Sequence, residues 1–247
     1  MGSVMKSSSS KNKSMMRSEE NSNQESEKHL NDWKLPNIPN HKIYKQGLLG
    51  TFRSPKDYEI HTVEQTIPLG APTNGVTSLI KGLRLHKGRG KYSYLHLGLI
   101  QVGIKPIRSL GPDKSILLCL RDDRFLNFDD SLLAAVESDL CDGPFYFNYF
   151  PNFCVSLDDP HIYDVLTLNI QANGFNLKEK SLPMILVFRV SYKLLASAFS
   201  TKYIGPISGR GKTNVVQGNS GSILKVLKWN EIQFPEHWRV VETEKKA

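Results

Sequence analysis

Cysteine is scarce in this chain. Its 247 residues hold three, Cys119, Cys141 and Cys154. An odd number cannot pair completely within one chain, and no two stand as C-x-x-C, so neither a disulfide framework nor a structural zinc site is expected. Buried reduced thiols are the simpler reading. Long apolar runs are missing too: no stretch reaches the roughly 18 uninterrupted apolar residues that a spanning helix needs. No apolar run follows the basic residues near the N-terminus, so a secretory signal is not expected. Gly2 follows Met1, but Lys6 stands where myristoylation favours Ser or Thr. Together these absences point to a soluble protein made in the cytosol.

Catalytic patterns are equally thin. There is no G-x-S-x-G and no Cys/His arrangement with a family signature. Gly209-Arg210-Gly211-Lys212-Thr213 looks like the tail of a phosphate-binding loop, yet the spacing demands glycine at position 206, which is Pro206. A two-metal nuclease needs carboxylates converging from separate elements. Asp122, Asp123, Asp129 and Asp130 instead crowd into one short segment. His96 has no second histidine or carboxylate at ligand spacing and reads as a packed or surface residue. No enzyme, no cofactor and no metal site is expected.

What is present is enough apolar material, 39% of residues, for one sizeable domain plus a tail. The net charge is +8, and it is segregated. Residues 1–34 carry a net +1, residues 35–91 +6, residues 92–160 −5 and residues 161–247 +6. Two basic blocks thus flank an acidic middle, a distribution that suits a polyanion on one surface or, more simply, a basic protein with a solvated face.

Residues 1–32 are Ser-rich, with mixed charge and almost no aliphatic side chains, so they are expected to form a disordered tail. Residues 33–58 hold Trp33, Leu35, Ile38, Ile43 and Tyr44 among prolines and read as an arm packing on the domain. The domain itself is set at 59–240, and residues 241–247 should fray. Residues 59–67 are β-prone, and a Pro/Gly-rich loop follows. Lys81, Arg84, Lys87, Arg89 and Lys91 lie in a glycine-rich stretch with no acid. Such a stretch can follow a phosphate backbone, or simply be a solvated turn.

From Tyr92 a period of two predicts a long strand running to Ile104. Ser115–Leu120 is a second, apolar strand. Asp129-Asp130-Ser131 before LLAAVESDL marks a short helix ending near Gly143-Pro144. Phe145–Val155 reads as a strand broken by Pro151. Ile162–Gln171 reads as another, closed by an Asn173-Gly174 turn. Leu182–Leu195 is a long strand with Arg189 and Lys193 on one face. Residues 202–222 read as a loop and Ser222–Trp229 as a last short strand. The sum is a mainly β sandwich or barrel of about seven or eight strands with one short helix. Tyr146, Tyr149 and Phe150 could stack nucleobases, but a strand in a sandwich also needs one aromatic-rich face.

Several motifs fall in a recognisable order: Tyr94–Pro106, then Leu120-Arg121-Asp122-x-Arg124, Phe128–Leu133, Gly143–Phe147 and Phe150–Pro160. Gly174 follows Asp122 with 51 residues between. This pattern resembles plant-virus movement proteins of the thirty-kilodalton superfamily, in the caulimovirus and badnavirus form. The resemblance covers roughly residues 59–240. It implies a jelly-roll-like β domain related to small viral capsid folds. It implies single-stranded nucleic-acid binding without sequence preference, self-association, and action at plasmodesmata with plasmodesmal and cell-wall proteins or virions as partners. The motif residues it marks are Leu120, Asp122, Arg124 and Gly174, with Asp122 holding a backbone turn or pairing with Arg121 or Arg124. The nucleic-acid candidates are Lys81, Arg84, Lys87, Arg89 and Lys91, then Lys202, Arg210 and Lys212. A capsid-like self-assembling protein, or an inactive host-encoded remnant of an integrated virus, stays open beside this reading, as does a processed piece of a polyprotein.

Overall fold

The computed structural model describes residues 33–45, 58–70, 74–83, 85, 90–107, 110–111, 113–175, 183–208, 214–217 and 232–239. Ten strands lie among them: β1 Tyr58–Leu69, β2 Asn74–Ser78, β3 Tyr94–Pro106, β4 Ser115–Arg121, β5 Leu132–Asp139, β6 Phe145–Tyr149, β7 Phe153–Ser156, β8 Thr167–Asn173, β9 Met184–Leu195 and β10 Asn214–Gln217. They form two antiparallel sheets. One runs β1-β9-β3-β6-β10, with β7 continuing beside β3 where β6 stops; the other runs β2-β8-β4-β5. The chain crosses repeatedly from sheet to sheet, β1 to β2, β2 to β3, β3 to β4, then back. Strand orders 1-9-3-6 and 2-8-4-5 with these crossings are the wrapped double Greek key of a jelly roll.

The alternation expected for β3 is visible in the packing. Leu95, Leu97, Ile100, Val102 and Ile104 enter the main core, where they meet Ile116, Leu118 and Leu120 of β4 and Leu168 and Ile170 of β8. Phe145, Phe147 and Tyr149 of β6 fill the same core, so Tyr149 is buried and not free to stack a base. The other faces of the sheets are covered as well. Leu117, Cys119, Leu132 and Ala135 lie under Ile232, Phe234 and Trp238. Ile43 and Tyr44 pack on Leu99 across the first sheet. Two glycines make room there: a Cβ on Gly98 would lie 2.4 Å from the Tyr44 hydroxyl, and one on Gly103 would lie 2.6 Å from the Trp33 ring.

Three expectations need correction. LLAAVESD is not a helix but strand β5, and the helix of this stretch is the single turn Phe128–Ser131 before it. Its cap is Asn127, whose side chain accepts from the Asp129 N–H. Leu133 and Val136 face the main core while Leu132 and Ala135 face the second cluster. Burial on both faces, with β4 alongside, outweighs the helix propensity of Leu and Ala. Ile162 belongs to a 3-10 turn, Ile162–Asp164, and the strand begins at Thr167. The expected 202–222 loop contains β10. The expected last strand at Ser222–Trp229 and the tail at 1–32 lie outside the described residues.

Candidate functional site

Strand β4 ends at a charged knot. Leu120 is in the core, and a register irregularity between Leu120 and Arg121 turns the chain outward against β5. Asp122 follows and is 3% exposed. Its backbone N–H donates to the Ser131 carbonyl at 2.8 Å. Its carboxylate takes both arms of Arg124: Nε to Oδ1 at 2.8 Å and Nη2 to Oδ2 at 2.7 Å. The Arg124 backbone N–H reaches Oδ1 at 3.3 Å. This parallel two-bond geometry is the strongest form of an arginine–carboxylate pair.

The third arm of Arg124 leaves the loop. Nη1 donates to Asp159 Oδ2 at 2.9 Å, in the segment between β7 and β8. Asp159 Oδ1 accepts the His161 N–H at 2.8 Å. That bond, then Arg124, hold the Asp159 carboxyl below its usual range, and the two carboxylates hold the guanidinium charged. A backbone bond from the Asp123 N–H to the Asp164 carbonyl, 2.8 Å, makes a second tie between the loops. Arg121 turns the other way, donating to Ser131 Oγ at 2.8 Å and to Asp123 Oδ1 at 2.5 Å while lying 4.7 Å over the Phe128 ring. The arrangement is a clamp joining two loops. Asp122 thus both holds a turn and pairs with Arg124; Arg121 serves Asp123 and Ser131 instead.

Gly174 is not part of this clamp. It sits just past Asn173, which pairs with Ser115 at the start of β4, while Thr167 pairs with Arg121 at its end. At about 3.3 Å per residue the two motif positions are roughly 20 Å apart. Gly174 has φ +77°, and a Cβ there would meet the Asp113 carbonyl oxygen at 2.0 Å, so glycine is required by the backbone. Among the basic candidates, Lys81 is exposed beyond β2. Lys91 is exposed, bonded to Glu59 at 3.3 Å and 4.8 Å over the Tyr92 ring. Lys202 is exposed, and its carbonyl accepts from the Lys45 N–H. Arg84, Lys87, Arg89, Arg210 and Lys212 lie outside the described residues.

A second polar locus had no signal in the local sequence. Under the arm, His96 and Lys193 pair across β3 and β9, 1% and 0% exposed. His96 Nδ1 lies 3.0 Å from the Tyr44 hydroxyl and Nε2 lies 3.1 Å from Asn152 Oδ1. Since Oδ1 only accepts, Nε2 carries the proton and Nδ1 accepts from tyrosine. Lys193 Nζ donates to the carbonyls of Ser200 and Thr201 at 3.2 and 2.9 Å and lies 3.8 Å over the Tyr58 ring. Burial, then the nearby Lys202 charge, pull its pKa down to about 8. Burial also lowers His96. Among the described residues no group of three His, Cys, Asp or Glu could hold a metal, and no helix is long and apolar enough to cross a membrane.

Residues 58–205 match the family model described as viral movement protein. The movement protein of figwort mosaic virus (strain DxS) is 31% identical over 116 residues, 47% of this chain and 36% of that protein. The movement protein of cauliflower mosaic virus (strain BBC) is 32% identical over the same shares. The chain thus spans about a third of the length of the curated relatives it matches. A solved structure titled Desmodium yellow mottle tymovirus is 12% identical, with a TM-score of 0.43 over 67% of this chain and 95% of that one.

Proposed function

The chain belongs to the viral movement protein family, and on that footing we propose that it carries viral genomes from cell to cell in a plant. In this reading it binds single-stranded nucleic acid without sequence preference, associates with itself, and acts at plasmodesmata by widening the channel or building tubules. Cell-wall proteins and virions are its expected partners there. The observation that carries this is the extent of the family match, which runs from β1 past β9 and includes the whole Asp122–Arg124–Asp159 clamp. We take residues 59–240 as the movement domain and the basic side chains, Lys81, Lys91 and Lys202 among them, as phosphate contacts whose binding weakens steeply with salt. Asp122 is a structural residue in this scheme: it fixes the two loops at the end of the sandwich, and no catalysis is required of it. The test is a fluorescent fusion in leaf epidermis, wild type beside Asp122→Ala. Puncta at cell junctions and spread into neighbouring cells, both lost in the variant, are expected. Diffuse signal without spread for both would overturn the transport reading.

A further inference from the structure

The arm, residues 33–45, is bound to the sandwich as a peptide is bound to a receptor. Among the described residues the main core holds nothing from it. Its apolar side chains fill a separate site on the outer face of the first sheet. Leu35, Ile43 and Tyr44 are buried there, and the last two pack with Ile60, Leu99, Phe150 and Tyr203. The arm's backbone is answered as well. The Pro36 carbonyl accepts from Gln101 Nε2 at 3.1 Å and from Arg189 Nη1 at 2.8 Å. At the other end the Ile43 carbonyl accepts the Ile204 N–H at 2.9 Å, the Lys45 N–H donates to the Lys202 carbonyl at 2.9 Å, and Tyr44 bridges to Tyr203. Main-chain bonds of a strand added to another segment, with pockets for alternate side chains, are a common way to hold an extended peptide.

Two features make the arm separable from the face it covers. The groups that hold it lie between Ile60 and Gly205, and residues 46–57 are what ties it to them along the chain. Twelve residues can span at most roughly 40 Å, far enough to seat the arm on its own face or on that of an adjacent copy, and the contacts are the same in both cases. The face also needs an occupant. Without the arm, Leu99 is bared and so are His96 and Gln101, which are 1% and 0% exposed beneath it.

We propose that the arm of one copy seats on the first-sheet face of another, so that crowded copies are joined by exchanged arms. A second copy is the occupant because residues 33–45 are the segment whose fit to this face the structure shows, and each chain brings one arm and one face. Two copies that exchange both arms close a pair; arms passed onward give a ring or an open filament. In a lone molecule the arm has the advantage of its tether, equivalent to an effective concentration on the order of 1 mM for a short connection. Exchange therefore belongs to copies packed at that density and not to dilute solution. This contact rests on the self-association in the proposed function and names the segment that performs it.

The test removes the tether's advantage, using two full-length variants. Gly98→Ala blocks the face: the added carbon meets the Tyr44 hydroxyl, and lies 2.7 Å from Tyr44 Cζ and 2.8 Å from Ile43 Cγ2, all three of them arm atoms. Gly98 is not at positive φ, so its backbone accepts alanine. Ile43→Asp with Tyr44→Ala spoils the arm and leaves the face; Leu35→Lys, at the arm's other end, is a second arm variant. Cooperative urea unfolding checks that each folds. Light scattering after size-exclusion chromatography of a micromolar mixture, Gly98→Ala with either arm variant, should show a one-to-one species absent from each variant alone, since the free arm of one meets the free face of the other. A labelled peptide of residues 33–45 should bind the arm variants saturably, bind about tenfold or more weakly when it carries Tyr44→Ala, and in excess dissolve the mixed species. The pairing should survive high salt, because it is made by apolar side chains and bonds to carbonyls, whereas phosphate contacts should not. No mixed species, or one that the peptide leaves intact, would overturn the exchange. Peptide binding without a mixed species would confine the arm to its own chain and overturn it too. A mixed species from a chain that does not spread between leaf cells leaves this contact standing and counts against the transport reading alone; spread without a mixed species does the reverse.

Discussion

Among the described residues, charge is buried in two places and compensated in two ways. At the end of β4, Asp122 meets an opposite charge, and the Arg124 guanidinium answers two carboxylates at once. Under the arm, Lys193 meets no carboxylate among the described residues; its partners are two backbone carbonyls and the faces of Tyr58 and Tyr44. The carboxylates around Arg124 hold its guanidinium charged. An ammonium taken out of water loses proton affinity, because burial disfavours its charged form. The clamp is therefore a fixed joint between loops, whereas the covered face of the first sheet is sensitive to pH.

Three measurements bear on that contrast. The largest effect belongs to Arg124→Ala, which strands the Asp122 carboxylate in a buried site. It should cost about 3–5 kcal/mol in urea unfolding, and Arg124→Lys should recover part of that, because a lysine can answer only one oxygen well. A loss below about 1 kcal/mol would make the clamp no stronger than a surface pair.

The second concerns Lys193. Its folded pKa of about 8 lies below the ordinary lysine value, so the unfolded chain holds that proton more tightly. Stability is withheld below pH 8 and regained as pH rises toward the ordinary value, by on the order of 2 kcal/mol. Lys193→Met should remove that rise; parallel curves for the two proteins between pH 8 and 10 would contradict it. The smallest effect is at His96. Burial lowers its pKa, so stability should fall as pH drops through and below the ordinary histidine value. His96→Gln should flatten that acid limb, and an unchanged limb would assign it to other groups.

The two buried charges also differ in how much of them could be read from the chain. Leu120-Arg121-Asp122-x-Arg124 is local: both arms of the pair lie within two residues, at the end of an apolar strand whose alternation is plain. Strands β3 and β9 were legible for the same reason, because one long face is buried and period two survives. Asp159 enters the clamp from 35 residues away, and Tyr44 reaches His96 across 52. No local pattern encodes such a meeting. Strand β5 reads as helix in the sequence for a related reason, since Leu and Ala favour helix until a partner strand on one side and a covering segment on its outer face are in place.

The pairing of β1 with β9 has a consequence for synthesis. Thr62 and Ser191 bond across the two strands with a separation of 129 residues. At about 5–20 residues per second of translation, β1 waits roughly 6–26 s after leaving the ribosome before its partner exists. During that interval a twelve-residue strand is an unpaired edge. Contacts of such long range also slow the final closure. Polysome crowding, in which nascent copies sit side by side, is therefore the stage of this protein's life most exposed to wrong pairing. Slowing initiation, so that ribosomes are spaced further apart, should raise the yield of folded chain more than lowering temperature after synthesis.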